Sequence, residues 1–490
     1  PGTTNLITGV ASAYADEVPL LVITAQTALP SFGKGAFQES SSNGVDTVGM
    51  LEHCTRYNSL VSHPEQLEGK LISAVMTAHE PPMGPVHLSI PRDVLASPSP
   101  VKRPNFHLDL LLQPPSLVDE EGVKALWGAI QRARKKVIIV GSGCGEAGQA
   151  IVQLAEGIDA ALIATPQGKA WVSPYHPRFR GIFGFAGHKS AREALLDPEV
   201  DLILAIGTTM DEWATSGWDQ EALLNSKLIH VDNSPLHLTR SPMARLHVRG
   251  RILTTLEHLL EMLPGRPSLP LEGETGSLKV DLGLPAFALD EERKCLTDSA
   301  PVKPQRLMHL LPRLFPPKTR FLADTGNSFA WSTHYLHPFA THTYRVAMGF
   351  GSMAWAIGSA VGTAMGAPGT PVVSITGDGS FLMSGQEITV AVQERLPVIF
   401  VVLNDNALGM VKHGQRLGGA EQVGSDLPPV DFCAMARALG AEAHIIRHSQ
   451  DLFALDIEAI CSCQGPTLLD IHVDPEEVPP MGVRMKVLSR

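Results

Sequence analysis

With 490 residues, 44% of them apolar and 44 Gly and 38 Pro spread along its length, the chain has room for about three domains and the composition of a globular α/β protein. Its net charge of −11, from 39 basic and 50 acidic side chains, argues against nucleic acid or an anionic membrane as a partner. The six cysteines (Cys54, Cys144, Cys295, Cys433, Cys461, Cys463) are scattered, with one close pair and no second pair or His cluster to complete a zinc site, so they read as reduced thiols in a cytoplasmic setting.

The chain opens on Pro1-Gly2-Thr3 without a Met, which reads as the middle of a loop, and no secretory leader is visible. Residues 1–95 place apolar runs at 18–24 and 86–90 around a Gly-rich loop (31–44) and a helical pattern (64–80), as in part of an α/β domain. Pro-rich clusters at 97–100 and 113–116 mark a linker over 96–117. A second unit, 118–263, carries short apolar strands at 137–140, 161–164, 201–206 and 227–231. Its first strand runs into Gly141-Ser142-Gly143-Cys144-Gly145-Glu146-Ala147-Gly148, a weak match to a dinucleotide fingerprint. Residues 264–304, rich in Pro, Gly and charge, read as a second linker. A third unit spans 305–474, from a strand at 320–324 to a strand at 467–473, and a Pro-rich basic tail covers 475–490. The uncharged run 346–370 is long enough to cross a bilayer, but it is built of Gly, Ala and Ser, which predicts a tightly packed internal helix instead.

The third unit holds the chemistry. Residues 372–375 form a β-branched run that ends in Gly377-Asp378-Gly379, and 397–403 form another that ends in Asn404-Asp405-Asn406. Helical spacing between them predicts a strand–helix–strand crossover, with both polar ends on one edge of a sheet. A carboxylate, a second oxygen ligand and a backbone carbonyl, beside glycines whose N–H groups can approach phosphate, are what a Mg²⁺-diphosphate requires. Two solvated turns would explain Gly377-Asp378-Gly379 alone; the second polar strand end favours the metal.

This pattern resembles the thiamine diphosphate enzymes. The rest of the chain is similar to their acetolactate synthase-like branch, which includes pyruvate oxidase and benzoylformate decarboxylase. Residues 1–10, 16–24, Ala36-Phe37-Gln38-Glu39, Gly84-Pro85-Val86 and Ile90-Pro91-Arg92-Asp93 match that branch in order. The resemblance implies three α/β domains with parallel sheets: pyrimidine-binding, Rossmann-like middle and diphosphate-binding. It also implies thiamine diphosphate and Mg²⁺ as cofactors, and a homodimer or homotetramer whose site joins the N-terminal domain of one subunit to the C-terminal domain of another. Weakly charged helices such as 353–366 would supply the subunit contacts.

By the same resemblance Asp378, Asp405 and the Ala407 carbonyl would hold the metal, Asp405 standing where the family usually has the second Asn of a pair and Asn404 preceding it. Gly377, Gly379, Ser380, Asn327, Ser328, Leu408, Gly409 and Met410 would face the diphosphate. Gly349-Phe350-Gly351-Ser352-Met353 matches the segment beneath the cofactor, where Met353 would bend it and the Gly351 carbonyl would accept its amino group. For Met353 the ordinary alternative is core filling. Phe37 and Gln38 would line the substrate entrance, the alternative being a loop with one buried aromatic. His413 offers a proton-transfer group or stands as an exposed spectator. Gly414 occupies the place of a Trp that helps acetolactate synthases select their acceptor. FAD, bound by the middle domain in some relatives, stays open but disfavoured, because the Arg of their FAD segment is missing from Gly207-Thr208-Thr209-Met210-Asp211-Glu212-Trp213. The Glu that activates the cofactor lies, in the family, upstream of the segment resembling Pro1-Gly2-Thr3. Three readings follow: a 2-keto-acid decarboxylating carboligase acting on a carbonyl acceptor; another thiamine diphosphate decarboxylase, lyase or C–C hydrolase; or a truncated, non-enzymatic relative that retains the cofactor fold.

Overall fold

The computed structural model describes residues 1–98, 108–113, 115–264, 284–285, 287–482 and 485. The chain divides into two compact units: residues 1–115 with 347–352, and residues 116–346 with 353–490.

In the first unit, α1 (Ile7–Ala15), β1 (Leu20–Gln26), α2 (Thr47–Glu52), β2 (Tyr57–Leu60), α3 (Leu67–His79) and β3 (Pro85–Pro91) build a parallel sheet of order β1-β3-β2. Central β3 is buried at every residue, whereas β1 alternates, with Val22, Thr24 and Gln26 turned inward. The Asp46 carboxylate caps α2 by accepting from Gly49 N–H at 2.9 Å, and Pro64 opens the 3₁₀ turn that leads into α3. Segment 347–352 is tied to α1 and the residue after it. Asp16 Oδ1 accepts from the Met348 and Gly349 amides at 3.2 and 3.0 Å, and Ser12 and Ser352 share a hydrogen bond of 2.8 Å.

His87, on β3, is 0% exposed. Its Nδ1 lies 2.7 Å from Asn58 Oδ1, which can only accept, so Nδ1 carries the proton and Nε2 accepts from Thr24 Oγ1 at 2.8 Å. Burial pushes its pKa down to about 4. Unfolding releases a ring that protonates near 6.5, so the unfolded chain binds more protons between these values and stability falls as pH drops through that window. At pH 5 the loss from this one group is about 2 kcal/mol. Thermal unfolding at pH 7 and pH 5 should therefore show a smaller acid-induced drop in His87→Gln than in the parent, and equal drops would refute the assignment.

The second unit contains two parallel six-stranded sheets. The first is built from α4 (Glu120–Arg132), β4 (Lys135–Val140), α5 (Gly148–Gly157), β5 (Ala160–Ala164), β6 (Phe179–Ile182), α6 (Lys189–Leu196), β7 (Val200–Ile206), β8 (Leu228–Asp232), β9 (Leu246–Arg249) and α7 (Ile252–Glu261), in strand order β6-β5-β4-β7-β8-β9. That is the doubly wound arrangement expected of the middle domain.

The second sheet combines α8 (Pro304–Leu314), β10 (Arg320–Ala323), α9 (Asn327–Tyr335), β11 (Tyr344–Val346), α10 (Trp355–Gly366), β12 (Val372–Gly377), α11 (Asp378–Ser384), α12 (Ile388–Gln393), β13 (Val398–Asn404), α13 (Gly409–Leu417), α14 (Phe432–Ala438), β14 (Glu442–Ile446), α15 (Ile457–Ser462) and β15 (Thr467–His472). Its strand order is β11-β10-β12-β13-β15-β14. Ala356, Ile357, Ala360, Val361 and Ala364 of α10 pack into its core, and Phe381 meets Phe400 and Phe432 edge to face. The run 346–370 is thus a β-strand end, a loop and a helix of small residues, and no described helix is long and apolar enough to cross a membrane.

Parts of the stretches expected as linkers and tail lie outside the described residues: 99–107, 114, 265–283, 286, 483–484 and 486–490. Much of the remainder is packed. Phe287 and Cys295 are buried, and Val302 pairs in parallel with Val473. Glu477 accepts from Lys294 and Lys303 Nζ at 2.7 Å each and from Gln305 Nε2 at 2.9 Å. Burial would raise Glu477, but these bonds outweigh it and pull the carboxyl down to about 2. Charge that reads in one dimension as solvated linker is here neutralised by charge from the other end of the domain.

Candidate active site

Three carboxylates stand at the C-terminal edge of the second sheet, where β10, β12 and β13 lie side by side and the strand order reverses about β10. Asp324 follows β10, Asp378 follows β12 and Asp405 follows β13.

Asp378 is buried at the N-terminus of α11. Its Oδ1 accepts from Gly379 N–H at 2.7 Å, while its Oδ2 is buried with no hydrogen-bond partner. Asp405 Oδ1 accepts from Ala407 N–H at 3.2 Å. Burial together with the charge of Asp405 pushes Asp378 up to about 7, and burial pushes Asp405 up to about 6. Two mutually repelling carboxylates with an orphaned oxygen form an environment short of positive charge. The Asn327 amide completes it from the N-terminus of α9: a side chain on Gly409 would collide with Asn327 Nδ2 and Asp405 Oδ2, so these groups flank that glycine, and Asn327 Oδ1 is likewise buried and unpaired.

The glycines form a cradle. A Cβ on Gly379 would come 2.5 Å from Leu408 Cδ2 and 3.5 Å from Met353 Cε, so Met353 reaches the start of α11. Backbone bonds from Leu408 N–H to the Ser425 carbonyl (2.7 Å) and from Leu427 N–H to the Asn406 carbonyl (2.8 Å) hold loop 405–409 in place. Two carboxylates, unsatisfied oxygen acceptors and glycine-exposed backbone fit a hard divalent cation carrying a diphosphate. Asp378, Asp405 and the Ala407 carbonyl would hold the cation; Asn327, Gly379 and the 408–410 backbone would face the phosphates. Among the described residues no group of three or more His, Cys, Asp or Glu side chains is arranged to hold a metal ion, and the candidate set here is two carboxylates with a backbone carbonyl.

Other expected residues are placed differently. Asn404 Nδ2 donates to Asp470 Oδ1 at 2.9 Å, while its own Oδ1 is buried without a partner. Ser328 Oγ turns back to the Asp324 and Thr325 carbonyls at 3.0 and 3.3 Å, and the Ser380 hydroxyl faces the Asp324 carboxylate. His413 is buried, not an exposed spectator: burial lowers its pKa, Arg416, Glu476 and Lys412 are the charges acting on it, and its Nδ1 has no partner. In the first unit, Phe37 is 88% exposed, so the loop carries no buried aromatic there, and neighbouring Gln38 is also exposed with φ +57°. Gly351, at φ +67°, and Ser352 belong to segment 347–352 of that unit.

Sequence reading underrated Asp324. It is fully buried and accepts from Thr325 N–H (3.0 Å), Ala354 N–H (3.0 Å) and Thr376 Oγ1 (2.8 Å), with Ala356 N–H at 3.5 Å. It therefore fixes Ala354, held at φ +69° directly after Met353, and so sets where Met353 leaves the backbone. The signal was present: Asp324 ends a short strand just before Gly326 and Asn327, the same pattern as the other two acids.

In the middle sheet, the Gly141 and Gly143 amides of the Gly-rich turn already donate to the Ile206 and Gly207 carbonyls at 2.9 Å each.

Family models place three consecutive segments in one class: the N-terminal binding domain of thiamine pyrophosphate enzymes at residues 1–47, their central domain at 123–259 and their C-terminal binding domain at 324–471. A probable acetolactate synthase large subunit of Methanocaldococcus jannaschii is 29% identical, with 98% of this chain and 81% of that protein aligned. The large subunit of acetolactate synthase isozyme 2 of Escherichia coli is also 29% identical, over 100% of this chain and 86% of its own length. A probable 2-ketoarginine decarboxylase of Pseudomonas aeruginosa is 30% identical, over 96% and 81%. The crystal structure of benzoylformate decarboxylase from Polynucleobacter necessarius shares the fold, with a TM-score of 0.77 at 20% identity, covering 98% of this chain and 86% of that one. The three sheets, the acids at one sheet edge and these alignments place the chain among the thiamine diphosphate-dependent enzymes, in their acetolactate synthase-like branch.

Proposed function

We propose that this enzyme uses Mg²⁺ and thiamine diphosphate to decarboxylate a 2-keto acid and pass the acyl unit to a carbonyl acceptor. The observation that carries this reading is the pair Asp378 and Asp405 at adjacent strand ends: Asp378 is buried with an orphaned Oδ2, and half-buried Asp405 flanks Gly409 together with Asn327. Bound thiamine diphosphate supplies the nucleophilic carbon and electron sink that loss of CO₂ requires. The protein's own part is placement: Asp378, Asp405 and Ala407 hold the cation, Asn327 and the 408–410 backbone orient the phosphates, and Met353, fixed through Asp324, shapes the cofactor's bed. Flavin stays open but disfavoured in this reading, since the Gly141 and Gly143 amides are already used within the protein. It includes a homodimer or homotetramer, supported by the open face of α10, where added side chains on Gly358, Gly362 and Gly366 would meet nothing within 4 Å. A strictly monomeric, fully active protein in analytical ultracentrifugation would remove that part.

A second reading, decarboxylation without carboligation, is favoured by Gly414 on α13, where a Cβ would also meet nothing within 4 Å. An acceptor the size of pyruvate loses apolar packing worth about 1–3 kcal/mol against such an open wall. Product analysis with pyruvate and larger keto acids separates the two. The expected outcome is poor acetolactate formation by the parent, better selectivity for small acceptors in Gly414→Trp, and faster turnover of bulky substrates in the parent. Brisk acetolactate formation unaffected by Gly414→Trp would show that this position does not face the acceptor.

A further inference from the structure

Helix α9 has two ends with different owners. Its first residue, Asn327, lies against Gly409 and Asp405, while every residue from Ser328 to Tyr335 is buried. Past Ser332, whose carbonyl accepts from Leu336 N–H at 3.2 Å, its last carbonyls run out of partners within the helix and must find donors elsewhere. Middle-sheet residues provide them. Lys169, on the turn Gly168–Trp171 between β5 and β6, donates from Nζ to the Ser332 and Thr333 carbonyls at 2.6 and 2.7 Å. His188, just before α6, lies with Nε2 3.0 Å from the His334 carbonyl. Its Nδ1 accepts from Ile182 N–H at 2.9 Å, so the proton sits on Nε2 and points at the helix end.

Three neighbouring carbonyls at one helix terminus are thus met by two side chains from another sheet. Lys169 is only 5% exposed and, among the described residues, forms no ion pair with a carboxylate; its Nζ lies 4.9 Å from the Tyr344 ring, and the buried rings of His188, His334 and His337 stand near enough to feel its charge. Burial lowers its pKa well below the ordinary lysine value. An amine buried without an acid is costly to retain, and Met would fill the space more cheaply. What Met lacks is the pair of donated bonds, which a lysine makes in either charge state and which meet the negative end of a helix dipole. Phe185, stacked on Phe329 at 5.1 Å, adds an apolar contact from the same side.

We propose that Lys169 and His188 are positioning residues for the candidate site, holding the C-terminal end of α9 so that Asn327, about 12 Å away at its other end, stays against Asp405 and Gly409. This rests on the reading that Asn327 and Asp405 face a metal-bound diphosphate. It assigns the middle domain a role at that site through contacts with α9 alone.

The test measures binding of Mg²⁺-thiamine diphosphate by calorimetry, the melting temperature, and amide exchange of α9 in the cofactor-free protein. Lys169→Met trades a buried amine against carbonyls left unpaired, so its melting temperature should stay within about 5 °C of the parent's, yet it should bind cofactor about 5- to 20-fold more weakly, with faster exchange in the first turn of α9. His188→Leu should do the same, whereas His188→Gln, whose amide can place a donor near the Nε2 position, should bind within about twofold of the parent. Parent-like affinity and exchange in both Lys169→Met and His188→Leu overturn the proposal and leave the cofactor reading intact. Equal losses in His188→Gln and His188→Leu, following their melting temperatures, overturn it in favour of a purely structural role. A parent protein that does not bind the cofactor overturns the site reading and the proposal with it.

Discussion

Asp378→Ala is expected to abolish Mg²⁺-dependent retention of thiamine diphosphate, with affinity lowered at least about 100-fold, or roughly 3 kcal/mol. The carboxylate is buried at the end of β12, its Oδ1 is committed to Gly379 N–H, and its Oδ2 is the orphaned oxygen at the site. Alanine removes the one negative ligand that cannot be replaced from elsewhere in the loop. Asp405→Asn should behave differently. Asn keeps a hard oxygen at the same position and relieves the repulsion that helps raise Asp378, so binding should be kept or tightened. Calorimetry with Mg²⁺ present and absent reads both effects. Equal losses in the two variants would show that the charge of Asp405 acts on something other than the metal.

The second large effect is expected at Asp324. Alanine there leaves the half-buried Ala354 and Thr325 amides and the buried Thr376 hydroxyl without their Asp324 acceptor, a destabilisation of about 2–4 kcal/mol. Asparagine retains one acceptor oxygen but turns an N–H₂ toward backbone donors, so it should fall between Asp and Ala. Cofactor affinity should follow the same order, because Ala354 at φ +69° sets the start of α10 and the placement of Met353. The melting temperature and the cofactor dissociation constant, measured across Asp, Asn and Ala, test this. An Asp324→Ala protein with parent-like melting and affinity would show that the five-residue stretch from Met353 to Ile357 holds its shape without the carboxylate.

Apart from β1, an edge strand read from its apolar run at 18–24, legibility in the sequence followed burial. Strands β4, β5, β7, β8, β12, β13 and β15 lie inside parallel sheets and are buried along most of their length, so they appear as short, nearly continuous apolar runs. Strands β2, β9, β11 and β14 sit at sheet edges, are short or half-polar, and left no such run. The stretch around Glu477 reads as tail for a related reason: its acid is matched by Lys294 and Lys303, far away in the chain.

The same division runs through the site. Asp378 and Asp405 were readable because strand, carboxylate and flanking Gly or Asn are consecutive, and that local order alone brings a charged oxygen to a sheet edge. The tasks of Asp324, Lys169 and His188 were not, because their partners stand 30, 163 and 146 residues away. The amino-acid sequence by itself determined which sheet edge carries the acids and which enzyme class the chain resembles. Tertiary structure decided which donor meets each buried acceptor: a buried polar group must be paired, and packing of distant segments, not neighbouring residues, provides the partner.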